Sequence, residues 1–244
     1  MGTHPEFIWG GPSGLSPRHL SSYAGGSGVA LADFLNNGTT TAFIVDHGGD
    51  RTLNSVLVRF VADSSGNITD ISRVSTPPGP LLGASGHNVR AKAFDFNADG
   101  LMDVLVFTRE NWNGTQWPTN SRIQFLKNNG NGNFVDVTAD LLVGYATNSN
   151  ASYSPVFLDL NGDRRVDIFL SESQFGASNS TSMLIQNADG KFVDTARAQL
   201  SAQLNASGGM ATVLRGPGGT LYFAFEAQSY GGGATLSLSV FAPR

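Results

Sequence analysis

Cysteine is absent from the 244-residue chain, which excludes disulfides and thiol chemistry. Charge is scarce as well. Only 14% of residues are Asp, Glu, Lys or Arg and the net charge is −4. No cluster of Lys and Arg stands out, so a nucleic-acid or anionic-membrane surface is not expected. No apolar run reaches the length of a membrane span. Histidine is rare, and the four present, His4, His19, His47 and His87, lack the spacing of metal ligands. There is no G-x-S-x-G elbow, and glycine tracts such as 231–233 lack the Lys-Ser/Thr of a phosphate loop. Residues 1–7 have neither the basic region nor the apolar core of a signal peptide. Six N-x-Ser/Thr sequons occur, no more than the abundance of Asn, Ser and Thr accounts for. These gaps leave little room for catalysis, and a non-enzymatic protein is the expectation.

Glycine is plentiful, at 30 residues, and 40% of the chain is hydrophobic. That suits short strands and tight turns around a sizeable core. The chain is organised around Asp95-Phe-Asn97-Ala-Asp99-Gly100-Leu101-Met-Asp103, which runs directly into the apolar segment 104–107. Oxygen-bearing side chains occupy positions 1, 3, 5 and 9 of this loop, and glycine occupies position 6. Calcium takes six to eight oxygen ligands, and alternating acids and amides can fold inward around such an ion. A second copy, Asp159-Leu-Asn161-Gly-Asp163-Arg164-Arg165-Val-Asp167, precedes the apolar segment 168–170. A worn copy begins at Asp33, with Leu35, Asn37 and Thr41 at positions 3, 5 and 9. Hydrophilic Asx-turns are the competing reading, but two intact copies in register favour metal. An EF-hand is excluded, because position 12 is Val106 or Leu170 where Glu is needed.

Asp33, Asp95 and Asp159 are separated by 62 and 64 residues, which indicates a repeat architecture. Short strands with turn signals between them recur around each loop. The expected units span residues 21–76, 84–140, 150–196 and 208–244, with a partial strand at 5–20 and residues 18–28 as a polar loop. Alternation at Val56, Val58 and Phe60 suggests sheets with one more exposed face. Helix is expected only around 195–204. The predicted fold is all-β, a β-propeller of four-stranded antiparallel blades forming one domain over 1–244.

The acidic loops, together with the turn Asn128-Asn-Gly-Asn-Gly-Asn-Phe134-Val-Asp-Val-Thr138, resemble the FG-GAP/VCBS repeat family of integrin α-subunit propellers and bacterial exported proteins. The resemblance implies propeller blades, about four and a fragment in this chain, with calcium between the first two strands of a blade. By position it implies two Ca2+ sites. One comprises Asp95, Asn97, Asp99, the Leu101 carbonyl and Asp103. The other comprises Asp159, Asn161, Asp163, the Arg165 carbonyl and Asp167. Arg164 replaces the glycine of position 6, and together with Arg165 it weakens the second site electrostatically. The resemblance also implies a non-catalytic, secreted or cell-surface module that binds a protein or glycan. Trp112, Trp117, Tyr145 and Tyr153, in segments between strands, are candidate ligand-stacking residues. A structural scaffold within a larger exported protein and a polysaccharide-acting enzyme with a loop-built site are the alternatives.

Overall fold

The computed structural model describes residues 6–11, 14–19, 26–46, 55–62, 68–77, 86–110, 121–145, 155–170, 182–195, 211–216, 220–227 and 235–241. Among these residues the chain is mostly strand, with one short helix, α1 (Thr138–Leu141). It divides into two compact units, Met1–Pro118 with Ile123–Thr138, and Thr119–Arg122 with Ala139–Arg244.

In the first unit, β1 (Glu6–Gly11) and β2 (Gly14–His19) form an antiparallel ribbon. The second of these strands begins as a turn in the sequence reading and ends in the expected polar loop. Its Pro17 pairs with Ile8, and a two-stranded ribbon is all edge, where proline is tolerated. Next come β3 (Gly26–Ala32), β4 (Thr41–Asp46), β5 (Ser55–Ala62) and β6 (Ile68–Ser75), an up-and-down antiparallel sheet. The strands β7 (Gly86–Phe94), β8 (Asp103–Glu110), β9 (Ser121–Asn128) and β10 (Phe134–Asp136) repeat the order. The strands lie where the runs of Val, Ile, Leu and Phe place them, and several extend a residue or more beyond those runs.

These two sheets share one core. Phe34, Phe43, Val45 and Leu57 from the first meet Val104, Val106 and Leu126 from the second, all with no exposed surface. Each such side chain contributes about 1.5–3 kcal/mol by leaving water. Phe34, Phe43 and Phe134 stack edge to face, with ring centres 5.4–6.3 Å apart, the geometry favoured by the ring quadrupole. The turn between β9 and β10 docks on the neighbouring sheet: the Gly132 N–H donates to the Phe34 carbonyl at 3.1 Å. Gly132 sits at φ +75°, and a Cβ there would run into a buried Leu57 methyl, so both the turn and the close approach favour glycine.

The segment 104–107 is buried on both faces, which is why it reads as continuous rather than alternating hydrophobicity. In β9, Ile123, Gln124, Phe125 and Leu126 are likewise buried on both faces. The one-face-exposed pattern suggested by 56, 58 and 60 therefore does not extend to this strand. The side chains of those three residues lie outside the described set.

The second unit holds β11 (Leu142–Val143), β12 (Val156–Leu158), β13 (Asp167–Leu170), β14 (Ser182–Gln186) and β15 (Phe192–Asp194). They form one sheet in the order β11-β15-β14-β13-β12. β11 pairs parallel to β15, a fifth strand that the sequence reading lacks. A three-stranded antiparallel sheet, β16 (Ala211–Arg215), β17 (Leu221–Ala227) and β18 (Thr235–Phe241), completes the unit. The helix expected at 195–204 falls, past Thr195, outside the described residues. No helix among the described residues is long and apolar enough to cross a membrane.

Candidate metal centre

Each of the three loops joins two neighbouring antiparallel strands, β3 to β4, β7 to β8 and β12 to β13. Each is shaped by side-chain oxygens accepting from its own backbone. In the first, Asp33 takes the Asn37 N–H at 3.1 Å and the Gly38 N–H at 2.7 Å. In the second, Asp95 takes Asp99 N–H at 3.2 Å and Gly100 N–H at 2.9 Å. In the third, Asp159 takes Asp163 N–H at 3.1 Å and Arg164 N–H at 2.9 Å. Position 5 repeats the device. Asn37, Asp99 and Asp163 accept from Thr39, Leu101 and Arg165 at 2.8–3.0 Å.

Position 6 is left-handed in every loop, with φ +82° at Gly38, +85° at Gly100 and +70° at Arg164. Position 4 is left-handed too, at Asn36, Ala98 and Gly162, a feature the sequence reading missed. The third loop therefore has its glycine two places early, and Arg164 bears the cost of the left-handed region, about 1–2 kcal/mol for a side chain with a Cβ. An apolar residue at position 2, Phe34, Phe96 or Leu160, is buried in each loop and anchors it. Its signal was an apolar residue directly after the first aspartate of each loop.

Positions 3 and 9 separate the loops. Asn97 accepts from the Asp99 N–H at 3.0 Å and donates through its amide to the Asp99 carboxylate at 2.9 Å. Asn161 does the same to Asp163, at 3.0 and 2.8 Å. In the first loop Leu35 takes this place and is buried in the core. At position 9, Asp103 is fully buried. Its two oxygens accept from Phe96 N–H at 3.2 Å and Asn128 N–H at 2.8 Å. Asp167 is also fully buried and accepts from Leu160 N–H at 2.7 Å and Gln186 N–H at 2.8 Å. Thr41 replaces both the charge and the geometry: its hydroxyl donates to the Ala32 carbonyl at 3.2 Å.

Asn128, at the end of β9, ties loops and sheets together. Its buried amide donates to Phe34 O at 2.9 Å and Met102 O at 3.1 Å, and its oxygen accepts from Gly130 N–H. The Asn-Asn-Gly that closes the apolar strand was the signal for it.

The electrostatics follow from burial. Desolvation raises the Asp103 carboxyl to about 6; the Asn128 and Phe96 N–H groups oppose the rise, and the nearby Asp99 and Asp95 carboxylates add to it. Asp167 is raised for the same reasons, with Asp163 and Asp159 as the neighbours. Asp33 is lowered, chiefly by the Asn37 and Gly38 N–H groups. At Asp99, partial burial is outweighed by the Leu101 N–H, the Asn97 amide and Lys127, so the net shift is downward. Lys127 Nζ lies 3.4 Å from Asp99.

Among the described residues, no three His, Cys, Asp or Glu side chains are gathered at ligand distance around a single point. The donor chemistry nevertheless fits a hard cation. Both intact loops offer only oxygens, three carboxylates and an amide carbonyl each. A carboxylate has about four lone-pair sites, so the N–H bonds described do not exhaust Asp95, Asp99 or Asp103. Of the candidate stacking residues, Tyr145 is half-buried; Trp112, Trp117 and Tyr153 lie outside the described residues.

Residues 95–170 match the model of the FG-GAP-like repeat. The matched stretch starts at the first residue of one intact loop and ends with β13 after the other, leaving out the worn loop. Over this stretch the chain is similar to FG-GAP-like repeats. No curated protein matched the chain.

Proposed function

We propose that this protein is a non-catalytic, calcium-stabilised β-propeller module of the extracellular kind, and that its sheets are the blades. The observation that carries the metal is the contrast at position 9. The loop at Asp33 adopts the same left-handed turns with Thr41 there and Leu35 at position 3, so the turn itself does not need the extra acids. The loops at Asp95 and Asp159 bury a carboxylate beside two others, an arrangement that is costly without a compensating cation. Asp95, Asn97, Asp99, the Leu101 carbonyl and Asp103 would hold one ion. Asp159, Asn161, Asp163, the Arg165 carbonyl and Asp167 form the corresponding set. Bound calcium would supply positive charge and fix the bend between the first two strands. It takes no part in a reaction.

The proposed partner is a protein or glycan, with Trp112 and Trp117, between β8 and β9 in sequence, as the stacking groups. Extracellular media keep weak calcium loops filled, which supports a place outside the cytoplasm. The test joins calorimetric calcium titration with a glycan array. Calcium binding of at least one ion per chain, and sugar binding lost in Trp112→Ala and Trp117→Ala, are expected. A chain that neither binds calcium nor melts differently in chelator would refute the metal, and glycan cleavage by the purified protein would refute the non-catalytic role.

A further inference from the structure

The two intact loops differ in where their positive charge comes from. In the loop at Asp95 it comes from a neighbouring strand: Lys127 of β9 reaches Asp99 with a single contact at 3.4 Å, its side chain 38% exposed. In the loop at Asp159 it belongs to the loop itself. Arg165 donates through Nη2 to Asp163 and through Nε to the Gln186 carbonyl at 3.0 Å. Gln186 in turn donates its N–H to Asp167 at 2.8 Å. A closed circuit therefore runs from position 5 through the guanidinium to the end of β14 and back to position 9. Arg164 adds a second positive charge to the same loop. The loop carries three carboxylates and two guanidinium groups, whereas residues 95–103 carry three carboxylates and no cation.

The Lys127 and Arg165 side chains are equally exposed, at 38% and 39%, but the lysine has one contact where the arginine has two, and a single surface ion pair is released at little cost. A guanidinium fixed in a fork by a carboxylate and a carbonyl is preorganised and weakly hydrated, and it is displaced less readily. Both cations use Oδ2 of the position 5 aspartate, Lys127 on Asp99 and Arg165 on Asp163, so a metal in either loop would compete for that oxygen.

We infer that Arg165 is a tethered counter-ion that stands in for calcium, so that the loop at Asp159 is held without metal and the loop at Asp95 is the one that responds to calcium. The inference rests on the calcium reading above and assigns its regulation. Within one chain it separates a permanently closed bend from one set by the calcium concentration.

The test is calorimetric titration of the full chain with calcium, together with melting in chelator and in 2 mM calcium (about the upper range of extracellular modules). The wild type is expected to bind one ion. Asp99→Asn should abolish that binding and Asp163→Asn should leave it intact. Arg165→Gln should add a second ion. It should also melt below wild type in chelator and recover in calcium, and Arg165→Lys should fall between the two. Two ions of equal affinity in the wild type would overturn the inference while leaving the calcium reading standing. So would an Arg165→Gln protein that is destabilised and not rescued by calcium, since the arginine would then be only a strut. An absence of calcium binding in wild type and Arg165→Gln alike would overturn the calcium reading, and the inference with it.

Discussion

The loops at Asp33 and Asp95 share a backbone and differ in chemistry. Both put a carboxylate at position 1 across two N–H groups, both turn left-handed at positions 4 and 6, and both bury a phenylalanine at position 2. The first then closes with a threonine hydroxyl and a core leucine. The second closes with a buried carboxylate and an exposed asparagine. The shape of the turn is thus an Asx device that needs no ion, and the extra acids are an addition with their own energetic cost. The loop at Asp159 is a third solution, in which the addition is retained and an arginine answers its charge.

The largest effect expected from disturbing this comparison is at position 9. Asp103→Ala leaves the Phe96 and Asn128 N–H groups buried without their acceptor. At about 1–3 kcal/mol for each buried orphan, the loss should reach about 2–6 kcal/mol, measured by denaturant unfolding. Thr41→Ala, which removes one hydroxyl bond, should cost about 1 kcal/mol. Equal costs at the two sites would remove the distinction.

Calcium and pH come next. Binding to the native state adds RT ln(1 + [L]/Kd), about 2.7 kcal/mol at one hundred times Kd. Without calcium, Asp103 titrates near 6 in the fold and near its ordinary value of 3.8 when unfolded. Between those values the folded state holds a proton that the unfolded state has released. The associated stability is therefore fully present below about 3.8 and is lost as pH rises through 6. In chelator the protein should melt higher at pH 5 than at pH 7. Calcium favours the ionised carboxylate and should flatten or reverse that slope. A pH profile identical with and without calcium would separate Asp103 from the metal.

The smallest effect is expected at position 6 of the third loop. Arg164→Gly relieves a φ of +70°, for a gain of at most about 1 kcal/mol after the greater chain entropy of glycine is counted. The reverse change at the second loop, Gly100→Ala, should lose a similar amount. Thermal melts of the pair check this.

Much of the fold was legible because the apolar segments are short and bounded by Gly, Asn and Asp. The repeat was legible because Asp, Asn and Gly recur at fixed offsets. What escaped depended on pairing partners that no local pattern encodes. β2 carries a proline and polar residues and is a strand only because β1 lies beside it. α1 and β11 are too short to carry a period. At the site, spacing pointed to Asp103 as an oxygen donor. It did not reveal that both its oxygens already bind N–H groups, one from a strand 25 residues away, or that Lys127 and Arg165 reach the position 5 carboxylates. Position 4 could have been read from Gly162, which stands where the other loops carry Asn36 and Ala98.

The parallel pairing of β11 with β15 has a consequence for synthesis. Leu142 lies opposite Phe192, so the strand leaves the ribosome well before the edge it joins. At about 5–20 residues per second, the wait is roughly 3–10 s. During that time Val143 and the chain around it have no β15 to pair with. A pairing between distant residues must also meet its loop-closure cost before any hydrogen bond is gained. β11 can therefore be added only after β15 exists, and it caps the sheet as a late event, covering an edge that would otherwise stay open to other chains.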